Sequence, residues 1–324
     1  MDMNLYVFAL PVFVVAIGIE ALYFRFALGR PYGWAVTGAN FVVAIGRLLS
    51  DLATKAAVLA VYVAAYELRP LDFPMGRWES WVALFFAVEF AYYWLHRLSH
   101  EIRWMWAQHS VHHSARQITL SVAYRLGWTQ FAAGPWLFLI PVCWVGFDPR
   151  AVVLMYAASL LYQFWLHTEA LGRLGFLERF LNTPSHHRVH HAIEPEYLDR
   201  NYGGVLIIWD KLFGTFASER DSAPRTYGLV RQIDTLNPVK IAFAEWLALL
   251  HDLRASKNLR EALRYAFGPP GWKPNDSGMT TRAIRKAAGI ADDTRLARGP
   301  GTVTPPALRD AQASAAKVPH PLRA

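Results

Sequence analysis

Asn182-Thr183-Pro184-Ser185-His186-His187-Arg188-Val189-His190-His191 places four histidines within six residues. Two upstream stretches follow the same spacing: His96-Arg-Leu-Ser-His100 and His109-Ser-Val-His112-His113. The chain has twelve histidines in all, so most of them fall in these three places. Residues three or four apart share one face of a helix. His96 and His100 therefore form one face, His109 pairs with His112 or His113, and His187 pairs with His190 or His191. His186 would add a third ring on a different face and reads as a neighbour of the set. Eight imidazoles are more than the four to six ligands one ion takes, so two ions close together are predicted.

The setting of these clusters is apolar. Of 324 residues, 54% are hydrophobic and only 18% charged, against about 25% in an ordinary soluble domain. The mean hydropathy is +0.16, and the apolar residues come in long runs. An integral membrane protein is expected. The net charge of +8 does not form a basic stripe; Lys and Arg fall between and after the apolar runs, as in loops facing anionic lipid, and nucleic acid is not expected as a partner. The single cysteine, Cys143, permits neither an intrachain disulfide nor a cysteine metal set.

Leu5–Leu28 is long enough to cross a bilayer and lacks a basic leader, so it reads as a retained anchor. Glu20 interrupts it and needs a partner. Residues 36–67 read as one long or kinked helix, partly interfacial, and Trp78–Leu95 as a third span with aromatic ends. Within it, Glu89 is either a group that orients a ligand or a residue close to the interface. Trp128–Val145 and Ala151–Leu166 form an expected helical hairpin around Gly146-Phe-Asp-Pro149. Residues 237–267 are predicted amphipathic helices. The resulting organisation is N-terminal transmembrane helices over 1–95, a histidine-rich cytosolic segment over 96–127, a membrane hairpin over 128–169, a cytosolic cap over 170–270, and a flexible tail over 271–324. With the N-terminus outside, all three histidine clusters emerge on the cytoplasmic side with most of the Lys and Arg. A bacterial inner membrane is the expected location, from the Ala and Arg content.

Neutral imidazole suits iron, zinc, copper or nickel. A zinc pair would activate water for hydrolysis. An iron pair would activate dioxygen against an unactivated C–H bond. Oxidation of lipid chains needs a site adjoining the bilayer, and hydrolysis of soluble substrates gains nothing from one. A membrane metal transporter would carry ionisable residues along several spans; here the histidines sit at span ends. No hydrolase nucleophile motif, GxGxxG or P-loop is present, so electrons are expected from a separate donor. His251 and His320 stand alone and read as polar caps. His167 ends the hairpin's second arm, and its spacing alone leaves ligand and cap equally open.

The three motifs, in this order and spacing, resemble the fatty acid hydroxylase superfamily, also called the sterol desaturase family, over about residues 40–220. The alkylglycerol monooxygenase-like branch is the most similar, on Tyr92–Glu101, Tyr162–Glu169, Asn182–His191 and Asp199–Phe216. The resemblance implies an all-α membrane helical bundle with a cytosolic cap holding a histidine-rich dimetal centre, with two Fe ions in the active enzyme and Zn able to replace them on isolation. It implies oxygen-dependent hydroxylation of a lipid, or desaturation with the same centre. It makes His167 a metal ligand beside His96, His100, His109, His112, His113, His187, His190 and His191. It gives Glu101 a supporting catalytic role, orienting a ligand imidazole. After His113 the sequence departs from the branch: Arg116 and Gln117 stand where that branch has an acidic pair, and Ile118 falls near its Asn. Arg116 is thereby a candidate partner for an anionic head group.

Overall fold

The computed structural model describes residues 3–220 and 225–290, and among these there is no strand, only helices and two isolated β-bridges. Three long helices come first: α1 (Met3–Phe26), α2 (Trp34–Glu67) and α3 (Trp78–Glu101). The polar residues of the second segment do not kink it. Arg47 and Asp51 are one turn apart and pair at 2.6 Å, so the helix runs unbroken past them. Among the described residues, α2 is the one helix long and apolar enough to cross a membrane, with a mean hydropathy of 1.6. Its apolar side chains and those of α1 from Pro11 onward are largely exposed, among them Val15, Ile19, Leu48, Leu49 and Leu52. A continuous apolar face of this kind is what lipid, not water, covers. Glu20 finds its partners inside: the Tyr32 hydroxyl donates to it at 2.8 Å, the Leu120 amide at 2.9 Å, and Thr168 Oγ1 also donates.

The first arm of the expected hairpin is not one helix. It divides into α5 (Gln130–Ala133), a 3-10 turn over Pro135–Leu139 and α6 (Ile140–Val145). The cause is local: Gly134 adopts a left-handed φ of 85° and prolines follow at 135 and 141, whose missing amides stop a continuous ladder. The second arm, α7 (Pro149–Phe164), is regular. Asp148 caps it, accepting from the Arg150 and Ala151 amides at 2.8 and 3.2 Å, and Pro149 occupies the first position. Tyr62, Leu84, Val88, Val142 and Val152 form the buried core between α2, α3, α6 and α7.

Five further helices build the cap over one end of this bundle. The first, α4 (Arg103–His113), follows α3 after an extended Ile102. The second, α8 (Pro184–His191), carries the third motif. The short α9 (Ile208–Phe213) lies on α3, with Phe213 stacked on Tyr93. The amphipathic α10 (Pro238–Ala255) packs against α4, and α11 (Leu259–Phe267) follows it. Residues 271–290, the start of the expected flexible tail, are built into the fold. A 3-10 turn at Pro274–Asp276 and α12 (Thr281–Ala287) are ordered. Lys273 pairs with Asp252, Met279 N donates to Gly271 O at 2.9 Å, and Arg285 donates to the carbonyls of Pro195 and Leu198. These are polar anchors, invisible to hydrophobic periodicity. His320 and the rest of the tail from 291 lie outside the described residues.

Candidate metal centre

The last two turns of α3 carry His96 and His100, α4 carries His109, His112 and His113, and α8 carries His187, His190 and His191. His167 follows α7. The nine rings converge in two groups: His96, His100, His109, His113 and His190 in one, His112, His167, His187 and His191 in the other. Within each group the candidate donor atoms lie within 4.8 Å of one another. Adjacent histidines go to different groups. Successive residues of a helix point about 100° apart, so His112 and His113 diverge, as do His190 and His191. The ring planes of His113 and His191 stack at 4.3 Å, one from each group.

The nitrogens that face one another are the Nε2 atoms. His109 Nε2 lies 3.1 Å from that of His96 and 3.2 Å from that of His113. His167 Nε2 lies 3.1 Å from that of His112 and 2.8 Å from that of His187, which is 3.1 Å from that of His191. Two nitrogens bound to one ion at right angles, each at about 2.1 Å, sit about 3.0 Å apart. The spacing therefore fits a shared cation. The proton positions agree. Nδ1 of His96, His190 and His167 faces the carbonyls of Tyr202, Arg200 and Gln163 at 2.8, 2.9 and 2.9 Å. A carbonyl only accepts, so these Nδ1 atoms carry the hydrogen and each neutral ring turns a lone pair inward from Nε2. Nε2 of His100 and of His190 is buried without any hydrogen-bond partner.

Burial is the first cause of the electrostatics. It pushes His96 down to about 3, with the charge of His100 adding to it, and His167 down to about 4. His109, His112, His113, His187, His190 and His191 fall well below the ordinary histidine value, from burial first and then from neighbouring imidazoles. At neutral pH these rings are neutral donors. The residues present therefore fit two metal ions bound by nitrogen alone.

His186 is buried outside both groups, against Phe216. Glu101 does not meet a ligand imidazole. It lies one residue past His100 and so turns off that face, pairing with Arg97 at 2.8 Å in a half-exposed position. The carboxylate beside His100 is that of Asp199, 3.3 Å from Nδ1. Nothing in the local pattern near His100 announces it, because 99 residues separate the two. Glu89 accepts from the Ser159 hydroxyl and from the backbone amides of Val205 and Leu206, so it touches no histidine directly. Arg116 is an exposed residue paired with Asp234. His251 is exposed, 3.8 Å from Asp252.

A cavity of about 680 Å³ adjoins the centre, with His100, His113, His190 and His191 in its wall and Trp106, Leu198 and Met279 among its apolar lining. A smaller space of about 240 Å³, between α2, α3 and α7, is lined by none of the nine histidines.

Residues 81–215 match the fatty acid hydroxylase family. The matched residues contain all nine clustered histidines and the Asp199–Leu206 loop. The chain is 37% identical over 269 residues to an alkylglycerol monooxygenase of Homo sapiens, covering 82% of this chain and 59% of that protein. It is 37% identical over 227 residues to the alkylglycerol monooxygenase of Xenopus tropicalis, covering 70% and 50%. The ornithine lipid hydroxylase OlsE of Rhizobium tropici is 31% identical over 128 residues, 40% of this chain and 39% of that one. The chain thus spans about half the length of the first two relatives. No solved structure matches it.

Proposed function

We propose that this chain is a membrane-bound di-iron oxygenase that hydroxylates a C–H bond of a lipid. The observation that carries the reading is the convergence of nine histidines, eight of them buried, with no thiolate or carboxylate among them, beside a cavity lined by both apolar and charged side chains. A group of five nitrogens exceeds the tetrahedral shell of zinc and suits iron. The names of the relatives, alkylglycerol monooxygenase and ornithine lipid hydroxylase, support a lipid substrate.

Bound iron would supply the activation of dioxygen. The chain's own residues do the rest. His96, His100, His109, His113 and His190 would hold one ion, and His112, His167, His187 and His191 the other. Burial keeps His96, His109, His112, His113, His167, His187, His190 and His191 neutral. The adjoining cavity receives the lipid and sets which carbon approaches. Inserting one oxygen atom and releasing the other as water consumes two electrons and two protons. The sequence offers no nucleotide-binding loop, so a separate reductant or donor protein supplies the electrons. The site lies on the cytoplasmic side of a bacterial inner membrane in this reading, supported by the Lys and Arg around it.

Metal analysis of anaerobically purified protein, combined with oxygen uptake on lipid extracts, tests this. Two irons per chain and lipid-dependent oxygen consumption are expected. Zinc alone, with turnover that persists without oxygen, would overturn it.

A further inference from the structure

One loop, Asp199–Leu206, serves the five-histidine group and not the other. Asp199 Oδ1 faces His100 Nδ1 at 3.3 Å, the Arg200 carbonyl accepts from His190 Nδ1 at 2.9 Å, and the Tyr202 carbonyl accepts from His96 Nδ1 at 2.8 Å. Three of the five rings are thereby oriented from one stretch of backbone. In the four-histidine group a single ring, His167, has such a bond, to Gln163 O in its own preceding turn. Nδ1 of His112, His187 and His191 is buried without a hydrogen-bond partner. Acceptors on the outer nitrogen of a ligand imidazole typically change metal affinity by about 10–100-fold.

The loop does not hold its shape unaided. Asp199 and Asn201 both take left-handed conformations, with φ of 54° and 57°, which non-glycine residues adopt at a cost. Two buried carboxylates pin it. Asp210 accepts the Tyr202 and Gly203 amides at 2.8 and 2.7 Å. Glu89 accepts the Val205 and Leu206 amides at 2.7 and 2.9 Å and the Ser159 hydroxyl at 2.7 Å. Glu89 stands on α3, two turns before His96. The same helix thus supplies the ring and anchors the loop that accepts the ring's hydrogen bond. The fit is close: a Cβ on Gly204 would come within 3.0 Å of Glu89 Oε1, Ser159 Oγ and Tyr92 Cδ1.

We propose that Glu89 is a positioning residue that acts through this loop to make the five-histidine group the tighter of two unequal metal sites. The inference rests on reading the nine histidines as metal ligands. The test is release of ferrous iron from the full chain in detergent, without oxygen, into a chromogenic chelator. The wild type should release one iron quickly and the other at least about 10-fold more slowly. His190→Ala should remove the slow phase and His187→Ala the fast one. Glu89→Leu should speed the slow phase about 10-fold or more and leave the fast one unchanged. Glu89→Gln should restore it, since its amide oxygen accepts the two backbone N–H groups while its NH2 donates to Ser159. Asp199→Ala removes one acceptor and leaves the anchor, so it should also speed only the slow phase, even where Glu89→Leu fails to fold. A wild type that binds fewer than two irons would sink the metal reading itself. Two irons leaving in one phase would overturn the inference alone, as would variants that alter only the fast phase.

Discussion

His96 Nδ1 donates to the carbonyl oxygen of Tyr202 at 2.8 Å, and that bond decides which nitrogen of the ring faces His109. The carbonyl has no proton to give, so the ring hydrogen sits on Nδ1 and the lone pair sits on Nε2, 3.1 Å from His109 Nε2. Without an acceptor there, either tautomer would be open to the ring.

Neighbours in sequence should behave as members of different sites. His190→Ala and His191→Ala are each expected to lower metal content from two ions per chain to one, and the ion retained should differ between them. Loss of a ligand should reduce turnover by more than the roughly 10–100-fold typical of outer hydrogen-bond partners. Metal content and the spectrum of the remaining ion check this. Near-wild-type turnover in His190→Ala would remove that residue from the ligand set.

Acid should unfold the metal-free protein through these same rings. An exposed histidine in the unfolded chain titrates near about 6.5, whereas His96 and His167 in the fold titrate at about 3 and about 4. Between those values the unfolded state binds more protons, so stability rises with pH through that window and levels off above about 6.5. Each such ring contributes a slope of up to about 1.4 kcal/mol per pH unit. Thermal unfolding of metal-free protein in detergent, from pH 4 to 8, should show Tm falling as pH drops below neutral. A Tm that is flat across the range would contradict the neutral burial of the rings.

Arg188 holds the third motif to the end of the membrane hairpin. Its guanidinium meets both oxygens of Glu219 at 2.7 and 2.8 Å and donates to the Thr168 and Leu171 carbonyls at 2.9 and 2.7 Å. A lysine has no planar fork and cannot make this set together. Arg188→Lys should therefore lower Tm, and Arg188→Ala should cost less than the roughly 3–5 kcal/mol of a fully unpaired buried charge, because Arg225 stays 3.1 Å from Glu219. The second variant should also weaken metal retention at the four-histidine group, since His167 adjoins Thr168. Denaturation in detergent and iron content measure the two effects.

Gly46 is the contact point of α2 with the loop before α5. A Cβ there would lie 2.3 Å from Trp128 Cε2, and the Trp128 ring is fixed by its own bond from Nε1 to Val43 O at 2.8 Å. Gly46→Val should destabilise by about 1–3 kcal/mol through overpacking, with metal content unchanged in the fraction that folds. Thermal stability close to wild type would mean that the indole has room to move.

Much of the centre was legible from spacing alone, because imidazoles three and four apart on a helix must share a face. The eight clustered histidines and their division into three segments follow from that. His167 has no such pair, and its assignment depended on a resemblance. Glu101 misled for a geometric reason: adjacency to His100 in sequence turns it off the ring's face and toward Arg97. The broken first arm of the hairpin was foreshadowed by Gly134, Pro135 and Pro141, but hydropathy does not register them.

The sequence by itself determined that this chain is helical, apolar and rich in paired histidines at the ends of its spans. Those are properties of residue type and period, which act over a turn or two. Only the tertiary structure decided how nine rings divide into five and four, that Asp199 and not Glu101 stands beside His100, and that residues between 270 and 284 line the cavity beside the centre. Those outcomes depend on where a carbonyl or carboxylate from a distant loop comes to rest. Such contacts form between segments about a hundred residues apart, and no local pattern encodes them.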